Sequence, residues 1–302
     1  MSKQPSAWMK ILISSAFFSF LFGSVAFSGS GRLSEADSLF RTGRGREALA
    51  LYRALVREVT STDQPSEASR EIQSKALAGE LRVALRFGDH APAESAIALA
   101  TSEFPGDETL LTLAGHYCFY RGRLEQARQF WEKAVGVSPN SLEARFQLLL
   151  LEEQVAPWED RRQGYEWFFD RYQQGRVTRP EDQEWVGRAC VKLEKYQWDG
   201  AQKVYQEALD ATPDLETVLI AKGDLWLDRY DEEAAIEIYN SVLRKNRESL
   251  PAMLGLGLAY LDNGNLGAAK KVLDQALVVN PNHPLALSRR SLHPAHDRGG
   301  VR

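Results

Sequence analysis

Cysteine is nearly absent from this chain of 302 residues. Cys118 and Cys190 are its only two, too few for a disulfide framework. They fall in different segments more than two repeat lengths apart, so no bond between them is expected. An excess of charge of one sign is also missing. Lys and Arg number 37 against 41 Asp and Glu, a formal net charge of -4. That balance offers no basic face for general nucleic-acid binding, and no nucleic-acid partner is expected. No nucleophile elbow, phosphate loop or dinucleotide fingerprint occurs. His116 and Cys118 are two residues apart in a helical pattern, so they point to different faces and make no catalytic pair. His293, His296 and Asp297 form one candidate metal trio, but in a polar, glycine-containing tail that would preorganise ligands poorly. The expectation is a non-enzymatic protein with no cofactor and no metal.

Long apolar runs are missing too, with one exception. Lys3 and Lys10 precede an uncharged stretch from Ile11 to Phe27, followed by small residues around Ala26 and Ser28. A positive flank, an apolar centre and a small-residue end make the pattern of a secretory signal. Apolar residues occupy every face of the run rather than a stripe, which argues against a first solenoid helix. Two readings remain open. Residues 1–28 are a signal peptide cut after Ala26 or Ser28, or they are an uncleaved anchor at the short limit for spanning a bilayer. Both send the rest of the chain across a membrane, to the periplasm or to the outer face of the inner membrane, because the lysines favour staying inside. Membrane contact is expected only through residues 11–27, and only if the segment is uncleaved.

What the chain has in quantity is a repeated spacing. Ala127, Trp131 and Ala134 are followed by Pro139; Ala201, Tyr205 and Ala208 by Pro213; Ala269, Leu273 and Ala276 by Pro281. Ala201, Ala235 and Ala269 lie 34 residues apart, as do Ala93 and Ala127. A 34-residue period built from helical spacing predicts a stack of helical hairpins. Each hairpin has two amphipathic helices that cannot bury both faces alone. Gly115, Ala189, Gly223 and Gly257 are the small residues expected where the helices cross closely. Trp131, Tyr205 and Tyr239 are expected to fill the gaps between successive hairpins. Pro105, Pro139, Pro213 and Pro281 end second helices; Arg247 stands where another such proline would fall, which predicts a looser junction.

The organisation that follows is a leader over 1–28, N-terminal repeats over 29–141, a degenerate helical repeat over 142–181, C-terminal repeats over 182–283 and a short cap with a disordered tail over 284–302. A polar loop is predicted from Thr60 to Ser69, with the second hairpin starting near Ser74. In the degenerate repeat, Tyr165, Phe168, Phe169 and Tyr172 share one helix face. The first reading of that stripe is packed core; a ligand-stacking box is the other.

The repeat length, the small first-helix residue, the alanine–aromatic–alanine series and the terminal proline resemble the tetratricopeptide repeat family (TPR), over about Gly29 to His283. The resemblance implies an all-α, right-handed superhelical solenoid of antiparallel helix pairs with about six to seven repeats. It also implies a concave groove, lined by the first helices, that binds a protein or peptide segment. One subfamily clasps a C-terminal carboxylate with lysine and asparagine. This sequence departs from it, with Thr112 and His116, Ile220 and Asp224, and Leu254 and Leu258 at the corresponding places.

Helical geometry selects the stripe that would face such a groove. It contains Arg82 and Arg86, then His116, Phe119 and Tyr120, then Cys190, Leu193 and Glu194. Asp224, Leu227 and Asp228 follow, then Leu258, Leu261 and Asp262. Basic groups lie toward the N-terminal half, acidic ones toward the C-terminal half and aromatics between; the stripe reads either as a solvated helix face with incidental charges or as a polarised groove for an extended segment with an apolar anchor. The expected function is an extracytoplasmic scaffold that holds a partner protein, by analogy of fold in an envelope or export complex. The alternatives are self-association of a structural protein through an uncovered solenoid end, and a glycan-binding module using the Trp158 to Tyr172 aromatics.

Overall fold

The computed structural model describes residues 29–153, 155–193 and 198–291. The apolar leader, Glu194 and the His293–His296–Asp297 trio lie outside the described residues. Within them the structure is all helix and turn, with no strand. Two compact units divide it, one up to Val83 and one from Ala84 onward. The first holds α1 (described over 29–41), α2 (Gly45–Thr60) and most of α3 (Glu67–Phe87). The second begins with the end of α3 and continues with α4 (His90–Glu103), α5 (Glu108–Tyr120), α6 (Leu124–Val137), α7 (Leu142–Glu152) and α8 (Trp158–Gln173). It is completed by α9 (Pro180–Lys192), α10 (Trp198–Ala211), α11 (Glu216–Asp228), α12 (Glu232–Lys245), α13 (Leu250–Asp262), α14 (Leu266–Val279) and the short α15 (Pro284–Ser291). Successive helices pair: α5 with α6, α9 with α10, α11 with α12, α13 with α14.

Local chemistry sets the helix limits. Asp107, Asp231 and Asn265 precede α5, α12 and α14, and each side chain accepts a backbone N–H three residues on, from Leu110 (3.0 Å), Ala234 (3.0 Å) and Ala268 (3.1 Å). These bonds satisfy donors that the helix start leaves free. Pro139, Pro213 and Pro281 each stand two residues past the end of a second helix, as the sequence predicts. The turn inside a pair needs one residue in the left-handed region, and Gly122 (φ 71°) and Gly264 (φ 76°) supply it at no steric cost. Tyr230 occupies the same place between α11 and α12 at φ 59°, with its ring 86% exposed. A bulky residue there is a backbone outlier.

The predicted fingerprint is the core. Ala127, Trp131, Ala134, Ala201, Tyr205, Ala208, Ala269, Leu273 and Ala276 are all buried. The large member of each set presses against the backbone of a first helix. A Cβ at Gly115 would come within 2.3 Å of the Trp131 ring, and one at Gly257 within 2.7 Å of Leu273. In the α9–α10 pair the sequence puts the close approach at Ala189, but Gly187 carries it: a Cβ there would meet Tyr205 at 2.1 Å. Tyr239 is held from two sides, by Gly223 of its own pair and by Gly255 of the next (2.6 and 2.4 Å). Trp131 also satisfies its indole N–H, donating to the Thr112 carbonyl at 3.1 Å.

The fourth pair is complete. Tyr165 and Phe168 are fully buried on Phe146, and Phe169 and Tyr172 are partly buried against the same core, so the core reading of that aromatic stripe holds. The loop expected over Thr60 to Ser69 is shorter. α2 runs to Thr60 and α3 starts at Glu67, because the Ser66 hydroxyl accepts the Ser69 N–H at 3.1 Å and starts the helix early. The junction at Arg247 is tied rather than loose. Asn246 and Ser249 both donate to the Glu216 carboxylate, at 2.7 and 2.6 Å.

One repeat later that carboxylate is missing, since Leu250 stands 34 residues after Glu216. Asn280, the counterpart of Asn246, is fully buried and donates instead to the Tyr120 hydroxyl at 3.2 Å, 160 residues back. His283 and His90 place their rings 5.9 and 6.3 Å from Tyr120, and a Cβ at Gly88 would meet the Asn280 amide oxygen at 2.6 Å. Burial pushes His283 below the usual histidine range. The turn after α14 thus rests on the ends of α3 and α5 within the second unit. Removing one partner of a buried bond costs about 1–2 kcal/mol, so Asn280→Ala and Tyr120→Phe should each lower urea stability by that amount. A double-mutant cycle should give about 1 kcal/mol of coupling; additive losses would show that the two side chains do not bond. Tyr230→Gly should raise stability by about 1 kcal/mol by relieving the left-handed strain, and a loss in the same urea titration would refute that account.

Candidate functional site

The first helices carry the residues expected to face a partner, and the structure treats them unequally. Arg82 is exposed on α3 within the first unit. In the second unit, Arg86 is largely covered, with Glu248 at 4.0 Å. His116 on α5 bonds Glu143 of α7 through Nε2 at 2.8 Å and sets its ring edge against Trp131. Tyr120 is engaged by Asn280. Phe119 is 47% exposed, and its ring lies 5.8 Å from that of Trp131, so a rigid core side chain holds an accessible aromatic in place.

Further along, Leu193 and Leu227 pack partly into the cores beneath α9 and α11. Leu258 and Leu261 are half-buried on α13, while Asp228 and Asp262 are exposed at the ends of α11 and α13. Glu194 is not among the described residues. Cys190 does not belong on an accessible stripe. It is fully buried among the α9 and α10 side chains, and burial pushes its thiol up to about 12, which makes it inert as a nucleophile. Burial likewise raises the Cys118 thiol.

Asp224 is part of an ionic network that sequence reasoning missed. Its carboxylate accepts from the Tyr239 hydroxyl at 2.6 Å and from Arg188 at 3.0 Å, and Arg188 also donates to Glu184 at 2.9 Å. Burial works against the Arg188 charge, but Glu184 and Asp224 together hold its pKa raised. Burial pushes the Glu184 carboxyl up, against the pull of Arg188. The only advance signal was the four-residue spacing of Glu184 and Arg188 on α9. In the first unit Tyr52 donates to Asp37 at 2.6 Å across the same 15-residue separation that Tyr239 and Asp224 have. Among the described residues no three His, Cys, Asp or Glu side chains are grouped to hold a metal ion, and no helix is long and apolar enough to cross a membrane.

Phe119, Asp228 and Asp262 are therefore the exposed members of the expected set in the second unit, and the surrounding charges are largely paired internally. That surface presents an aromatic on α5 and carboxylates on α11 and α13.

A family model described as tetratricopeptide repeat matches residues 227–288. Over 113 residues, 37% of the chain, the sequence is 26% identical to the Protein CTR9 homolog of Arabidopsis thaliana, and it covers 10% of that relative's length. Among solved structures, the APC/C hetero-tetramer Cut9-Hcn1 superposes with a TM-score of 0.51 at 13% identity, over 86% of this chain and 55% of that one. A tetratricopeptide repeat protein from Parabacteroides merdae gives a TM-score of 0.47 at 14% identity, over 88% and 98% of the two chains. The described residues are all-helical with a fold of stacked antiparallel helix pairs, and residues 227–288 match the tetratricopeptide repeat model itself.

Proposed function

We propose that this protein is a non-enzymatic scaffold that holds a segment of a partner protein against its first helices, on the extracytoplasmic side of a membrane. The observation that carries the reading is Phe119. A half-exposed aromatic locked on the Trp131 core is the anchor that a rigid binding surface offers, since little side-chain entropy is lost when it is covered. Asp228 and Asp262 supply negative charge further along the same series of helices and favour a segment with basic groups near its apolar residue. The lysine-flanked apolar stretch from Ile11 to Phe27 supports export, and the assembly served would belong to the envelope or an export machine.

Self-association is a second reading, favoured by one observation. α15 covers the end of the last core with Ala286 but leaves Leu285 and Leu287 exposed, and Val278 on α14 is exposed as well. A second copy can cover such an end.

Photo-crosslinking in the native cell, with the probe at Phe119 and at Asp228, separates the two. Capture of one partner protein from both sites is the expected result, and Phe119→Ala should weaken its binding about tenfold or more with an unchanged melting temperature. Capture of the chain's own copies alone would give the structure to self-association. For export, alkaline phosphatase fused to the C-terminus should be active in intact bacterial cells and inactive when residues 1–28 are deleted. Equal activity of the two fusions would remove the extracytoplasmic assignment.

A further inference from the structure

Most of the partly buried arginines of the second unit are held in one of two ways, by carboxylates or over indole rings. Arg188 has Glu184 and Asp224, Arg128 has Glu152, and Arg86 has Glu248. Arg161 lies over Trp158 and Arg229 over Trp198 and Trp226, each as a single cation, whereas Arg145 on α7 and Arg171 on α8 share one ring. Both guanidinium carbons stand over the Trp167 ring, at 4.2 and 4.5 Å from its centroid. Trp167 in turn sits edge-on to the fully buried Phe168, which fixes the indole as a platform. Neither arginine lies within ion-pair distance of a carboxylate among the described residues. Their polar contacts are neutral: Arg145 donates to the Pro139 carbonyl at 3.4 Å, and Arg171 to the Asn140 side chain. The Nε of Arg145 is buried with no acceptor. Burial and the adjacent Arg171 charge both push the Arg145 pKa down.

Two cations held together with no anion raise the energy of the free protein, and a chain with net charge -4 had many acidic residues available to pair them. Stacking on an indole occupies the face of a guanidinium and leaves its N–H edge for planar, two-pronged bonding to a carboxylate. Trp and Arg together are also the side chains that dominate protein interfaces.

We infer that Arg145, Trp167 and Arg171 form an acceptor site for a carboxylate of an acidic protein segment, on the α7–α8 pair and separate from the Phe119 surface. An Asp or Glu side chain of the partner lies across the two guanidinium edges, supplies the acceptors the site lacks and cancels the repulsion between the arginines. The inference does not depend on the inner-face reading, because it uses none of the same residues.

The test is fluorescence anisotropy with the purified full chain and a fluorescein-labelled hexaglutamate peptide at low salt. The wild type should bind it, and the Arg145→Gln/Arg171→Gln double variant should bind about tenfold or more weakly. Arg171→Gln alone should fall between the two, and keeps the test decisive should the double variant not fold. Arg171→Lys should also weaken binding, because it keeps the charge and loses the fork. Phe119→Ala should leave the affinity unchanged. Hexalysine should not bind. The inference is overturned if the wild type does not bind hexaglutamate, or if the arginine variants bind it equally. Displacement of the peptide by millimolar inorganic phosphate as effectively as by free glutamate would assign the site to a small anion instead of a protein segment and would also overturn it.

Discussion

Four helix pairs of the second unit are arranged around one contact, an aromatic or leucine of a second helix pressed onto the bare backbone of a first helix. Trp131 on Gly115, Tyr205 on Gly187 and Leu273 on Gly257 leave no room for a methyl group. The approach sets the spacing of the two helices, and the buried alanines one turn either side hold it. Tyr239 extends the same contact outward, since it touches a glycine in its own pair and another in the following pair. Packing within a pair and packing between pairs are there the work of one side chain. The placement of Phe119 also descends from this contact, because its ring leans on Trp131.

The architecture was legible because it is periodic. Alanine, aromatic and alanine at helical spacing fix which face is buried, and a proline after the second helix fixes where it stops. Legibility faded where two residues could serve the same purpose. Ala189 and Gly187 are two positions apart on α9, and only the geometry shows that Tyr205 lies against the glycine. The start of α3 was hidden for a local reason: Ser66 caps it inside a stretch whose composition is that of a loop.

The candidate site was less legible than the fold, because exposure on a helix face depends on partners from other helices. Asp224 reads as a free acid until Arg188 of α9 is placed beside it, and Cys190 reads as accessible until α10 covers it. Phe119 was identifiable, as an aromatic off the buried stripe. Arg145 and Arg171 were not, because they belong to different helices and only their common approach to Trp167 connects them.

The bond between Asn280 and Tyr120 changes what kind of object the second unit is. A stack of hairpins is close to one-dimensional: every contact is with a neighbour, ends fray independently, and order can spread from any point. A contact spanning 160 residues joins the last turn to an early helix. It closes a long loop whose entropy is recovered only when the intervening pairs are already in place. The end of such a stack is then no longer the place where unfolding begins most cheaply, and stability at the C-terminal turn reports on the order of all the repeats between.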